Sequence, residues 1–97
     1  MSAILPADLL RQIERNFAKA DRAAAVTLLL CARSHEGVAG PRLQRCALVA
    51  SNGSLERLMH YVRMLEVDYR DVIVAAEYDA GNNGELVQVR DLTKPID

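Results

Sequence analysis

The sequence has no tryptophan, one phenylalanine and three tyrosines, so aromatic residues make up 4% of the chain. Against these stand fourteen alanines and thirteen leucines, a composition that favours helices. Two cysteines cannot form a disulfide framework, so a reducing, cytoplasmic setting is expected. No run free of charged residues and proline exceeds ten residues, too few to cross a bilayer. The start, MSAILPADLL, lacks the basic opening and apolar stretch of a signal peptide. Charge of one sign is missing as well. Twelve Lys and Arg face thirteen Asp and Glu, for a net charge of −1. That argues against a dedicated nucleic-acid binder, which carries a clear basic excess.

The 97 residues suffice for one domain, read as a single helical domain over 1–97 with a flexible tail at 93–97. With 51% hydrophobic residues the chain can bury roughly two thirds of its unfolded surface. Three prolines and five glycines divide it into five apolar segments. Pro6 to Lys19 carries Leu9, Ile13 and Phe17 at helical spacing, with Arg11, Arg15 and Lys19 in a row away from them. Asp21 to Ser34 is apolar on every side, as a central or interface helix is. Pro41 to Ser51 sets Leu43, Cys46, Ala47 and Ala50 inward and Arg42, Gln44, Arg45 and Leu48 outward. Ser54 caps a clean amphipathic helix, with Glu56, Arg57, His60 and Arg63 on its far face.

The fifth segment, Asp68 to Tyr78, reads as a helix from its Asp68 start and from Ala75 and Ala76, although Val72, Ile73 and Val74 also suit a strand. The expected fold is therefore all-α: a compact bundle of four or five short antiparallel helices with an extended C-terminal arm. The rival is an α+β fold with a C-terminal hairpin formed by residues 71–92.

Chemistry-bearing residues are sparse. Cys31 and His35 are spaced i, i+4, with Cys46 and His60 elsewhere, but two ligands do not close a tetrahedral zinc site. Small buried hydrophobes explain the cysteines better. Cys31 lies near a helix C-terminus, where the dipole disfavours a thiolate. There is no G-x-S-x-G, H-E-x-x-H, S-x-x-K or glycine-rich phosphate loop. Glu66, Asp68, Asp71, Glu77 and Asp79 read as capping and surface acids. No catalytic residue, metal or cofactor is expected, and the chain is read as non-enzymatic.

What remains is binding. Leu48 and Met64, on faces that should be wet, mark a candidate protein-interaction surface together with Arg57 and His60. The leading expectation is a protein–protein interaction module, or a small helical protein that self-associates, with no membrane contact. The alternative is weak nucleic-acid binding by the basic N-terminal two thirds, through Arg11, Arg15, Arg42 and Arg45. Charge is uneven: residues 1–63 carry +4 and residues 64–97 carry −5. Folding the acidic end over the basic one is the simpler use of that dipole.

The stretch GSLERLMHYVRMLEVDYRDVIVAAEY, Gly53 to Tyr78, resembles an uncharacterised family of small bacterial all-helical proteins, as do LPADLLRQIERNF and VRDLTKPI. The resemblance implies a bacterial, cytoplasmic origin and no particular function.

Overall fold

A computed structural model describes residues 5–34, 37–81 and 83–96. Four α-helices form where the apolar spacing directs: α1 (Ala7–Asn16), α2 (Arg22–Leu30), α3 (Pro41–Ser51) and α4 (Leu55–Glu77). Two antiparallel two-stranded sheets interrupt and follow them. The first pairs β1 (Arg33–Ser34) with β2 (Gly37–Val38), and the second pairs β3 (Tyr78–Ala80) with β4 (Leu86–Gln88).

The all-α expectation is thus corrected to an α+β fold with a C-terminal hairpin. The second apolar segment leaves the helix at Leu30, not Ser34, and its end turns into β1. Gly37 opens β2 at φ +119, a backbone that favours glycine. His35 and Glu36 lie outside the described residues. The C-terminal arm does not lie alone: Tyr78 pairs Gln88, Asp79 pairs Val87 and Ala80 pairs Leu86. This hairpin is shorter than the 71–92 version, because residues 71–77 stay helical.

The caps explain that division. Ser54 Oγ accepts the Arg57 amide at the start of α4. Asp68 breaks α4 with extended backbone (φ −157, ψ 94), and its carboxylate accepts the Arg70 amide, as an N-cap does for a new helix. The two halves meet at this kink. Tyr78 then leaves the helical region, its amide still bonded to the Val74 carbonyl.

The core joins Leu9, Ile13 and Phe17 of the first segment to Ala25, Leu29, Cys46, Ala47, Leu58, Leu65, Val72 and Ala76. Leu92, beyond the hairpin, is buried with them. The helix that sits at the centre is α3, with Gln44 through Leu48 buried in unbroken succession. Its end is tight: Asn52 is left-handed at φ 51 and Gly53 follows at φ +80. A Cβ on Gly53 would lie 2.5 Å from the Asn16 carbonyl oxygen of α1. Gly53 therefore combines a left-handed backbone with close approach to a neighbouring main chain. Gly53→Ala should destabilise the fold by about 1–3 kcal/mol in urea unfolding, and an unchanged midpoint would contradict this packing.

Candidate functional site

The densest polar arrangement lies between α3 and the start of the hairpin. Glu77, the last residue of α4, has 0% exposure. A carboxylate at that depth needs a counter-charge and several donors. Arg42, in the first turn of α3, provides a fork: Nε reaches Oε2 at 2.9 Å and Nη2 reaches Oε1 at 3.0 Å. The Gln88 side-chain amide of β4 donates to Oε1 at 2.9 Å, and the Cys46 thiol donates to Oε2 at 3.4 Å. The Glu77 carbonyl meanwhile accepts the amides of Val89 and Arg90. One residue thus joins α3, α4 and β4.

A second buried pair lies one turn along α3. Arg45 Nε donates to Asp8 Oδ2 at 2.9 Å, and its Nη1 donates to the Leu92 carbonyl. Asp8 also accepts the Ile96 amide. Gln44 donates to the Leu29 carbonyl of α2. Among the described residues no buried side-chain nitrogen or oxygen is left without a hydrogen-bond partner.

The electrostatics follow. The Arg42 hydrogen bonds hold the Glu77 carboxyl below its ordinary range, against the burial that opposes them. Burial pushes the Asp8 carboxyl up, but Arg45 and the Ile96 amide together bring it below its ordinary value. Burial and the hydrogen bond to Glu77 push the Cys46 thiol up to about 12. A thiol so placed stays protonated and is a donor, not a nucleophile. Cys31 is exposed, and both cysteines are free. Among the described residues, no group of three or more His, Cys, Asp and Glu could hold a metal ion.

The residues singled out in the sequence fall in unexpected places. Arg42 and Arg45, expected at the front of a nucleic-acid-binding helix, are committed to Glu77 and Asp8. Leu48, expected on a wet face, is only 4% exposed. α1 and the C-terminal arm cover that side of α3, and Leu48 lines a cleft with Gln12, Asn16, Val49, Asn52 and Arg90. Met64 is half-buried against the core. Arg57 and His60 are exposed and line an open depression of about 600 Å³ with Ser54, Glu56 and Tyr61. Arg11 and Arg15 are exposed on α1.

Sequence reading missed the hairpin surface. Leu86, Val87 and Val89 are 61%, 45% and 53% exposed. All three strand positions of β4 are exposed, so both of its faces meet solvent. The rival hairpin over 71–92 contained the signal, but the all-α expectation left these residues in a lone extended arm.

Three outcomes are expected. Glu77→Gln should cost about 1–3 kcal/mol, below the 3–5 of a fully buried pair, because the Arg42 side chain is 41% exposed and can rehydrate. The folded values of Glu77 and Asp8 lie below the unfolded ones, so their stabilisation is complete at neutral pH. It fades as the pH falls below about 4 and is gone below the folded values. Acid titration of the unfolding midpoint should show this limb, flattened in Glu77→Gln; equal limbs would contradict the pairing. With a thiol reagent under mildly alkaline native conditions, Cys31 should react and Cys46 should not until the chain unfolds. Rapid reaction of both would place Cys46 elsewhere.

The chain matches no protein-family model, no curated protein and no solved structure. The expected kinship with a small bacterial all-helical family is therefore corrected. No family model carries it, and two antiparallel two-stranded sheets depart from an all-helical pattern.

Proposed function

We propose that this chain is a small protein-binding module that acts through its C-terminal hairpin, without chemistry of its own. The supporting observation is the exposure of Leu86, Val87 and Val89 on a strand whose base is fixed by the buried Glu77 network. Apolar side chains held in water on a rigid base suit a partner surface. The surface differs from the one expected around Leu48 and Met64, which contribute to the interior. Arg57 and His60 remain available beside their depression as a secondary contact. Among the described residues no helix is long and apolar enough to cross a membrane. The reading keeps the two unpaired cysteines in a reducing compartment.

A second reading, weak nucleic-acid binding, draws on one specific observation. Arg11, Arg15 and Lys19 are exposed along the first segment and form no ion pair among the described residues. This contact would be smaller than expected from the sequence, because Arg42 and Arg45 are occupied.

One experiment separates the two. The tagged chain is used to capture partners from lysate, with each eluate split and treated with nuclease or left untreated. A nuclease-resistant protein partner is expected. The double variant Leu86→Ser and Val89→Ser should reduce it by at least about tenfold while the fold, followed by circular dichroism, persists. Capture that vanishes with nuclease and with Arg11→Ser and Arg15→Ser would instead support the nucleic-acid reading, as would steep weakening with salt.

A further inference from the structure

We propose that the outer edge of β4 accepts an extended, basic segment of a partner protein as a third strand. This rests on the protein-binding reading above and adds to it the binding mode and the chemistry of the partner.

The register of the hairpin carries the first step. The Gly81 amide bonds the Glu85 carbonyl at 2.6 Å, and the Val89 amide bonds the Glu77 carbonyl at 2.7 Å. Bonded and non-bonded pairs alternate along an antiparallel ladder. Asp79 with Val87 is therefore the bonded pair between these two. The main-chain groups of Leu86 and Gln88 consequently point away from β3. Their amides have no hydrogen-bond partner among the described residues.

The two edges of the hairpin are not equivalent. On β3 the outward amides are already used: Tyr78 bonds the Val74 carbonyl, and Ala80 bonds the Asp79 carboxylate at 2.8 Å. β4 has no such closure. It carries no proline, bulge or lysine of the kind that protects a free edge. The main chain of β4 can therefore continue the ladder, and the exposed Leu86 and Val87 offer a contact on each face.

Charge selects the occupant. Residues 64–97 carry −5, and Glu77 is the one acid among them joined by an ion pair to the basic N-terminal part, among the described residues. The other described acids of this end are thus not paired with the basic part, although its main chain meets Arg45 at Leu92 and Asp8 at Ile96. Glu85, just before β4, is exposed, whereas the Asp79 carboxylate is turned to the β3 edge. The Arg90 guanidinium is turned inward to the Ala76 carbonyl. A segment alternating Lys or Arg with apolar residues complements this edge. A second copy would bring a second net-acidic end to this edge, which disfavours it.

The probes are synthetic peptides alternating lysine and valine, alternating glutamate and valine, and a lysine–valine peptide N-methylated at alternate amides. Each is titrated into the full chain and followed by amide NMR shifts. The lysine–valine peptide should move the Leu86 and Gln88 amides most and bind at least about tenfold tighter than the glutamate form, with affinity falling as salt rises. N-methylation should weaken it by about tenfold. Leu86→Pro, which removes an outward amide and no ladder bond, should do the same. Glu85→Lys, at an exposed site, should weaken binding by about fivefold without altering the fold. Equal binding of the lysine and glutamate peptides would overturn the charge argument. Shifts at Leu86 and Gln88 that grow with protein concentration alone would assign the edge to a second copy and overturn the basic partner. If N-methylation has no effect while Leu86→Ser with Val89→Ser still loses the captured protein, strand addition is wrong and the protein-binding reading stands. If no peptide binds and those variants lose nothing, both fall.

Discussion

The ion pair between Arg42 and Glu77 fixes the relation between the helices and the C-terminal hairpin. Glu77 ends α4, and the hairpin begins at the next residue. Without a partner, a carboxylate at 0% exposure would either pick up a proton or pull the end of α4 toward water. Arg42 removes that conflict with two hydrogen bonds, and Gln88 draws β4 to the same oxygens. The main chain of Glu77 then holds Val89 and Arg90. A hairpin with three-residue strands is marginal alone in water, so this anchorage gives it a defined position.

The same principle explains why α3 occupies the centre. Its pattern of Arg42, Gln44 and Arg45 reads as a wet face, yet each head group meets a partner from a different element. Arg42 meets α4, Gln44 meets α2, and Arg45 meets Asp8 of α1. Cations suit burial when geometry is bidentate and the carboxylate is itself satisfied. The basic residues that suggested a recognition helix instead bind the layers together. The exposed cations left over include Arg11 and Arg15 of α1, Arg33 of β1 and Arg57 and Arg63 of α4, apart from the pairs that hold the interior.

Local chemistry was legible in the sequence where one segment decides the outcome. Ser54 and Asp68 cap as their side chains dictate, Pro41 opens α3 at its first turn, and the left-handed Asn52–Gly53 closes it. The core stripe of Leu9, Ile13 and Phe17 follows its spacing. The two ion pairs could not be read in this way, because their partners stand 35 and 37 residues apart and no periodicity links them. The strands were obscured by their length, since two or three residues give no alternation to detect. Leu48 misled for a related reason: a helix wheel shows which way a residue points, but not that α1 lies over it.

A small α+β domain emerges in which buried charge holds an apolar, half-open hairpin at one acidic end. Its rigidity and its free edge come from the same residues, since Glu77 fixes one side of the ladder and leaves the other to solvent. Amide hydrogen exchange by NMR tests this most directly, comparing the native chain with Glu77→Gln. The expected result is strong protection at Val87 and Val89, near-free exchange at Leu86 and Gln88, and loss of the hairpin protection in the variant while the α3 amides stay protected. Equal protection at all four hairpin amides, or a hairpin that keeps its protection without the Glu77 charge, would contradict it.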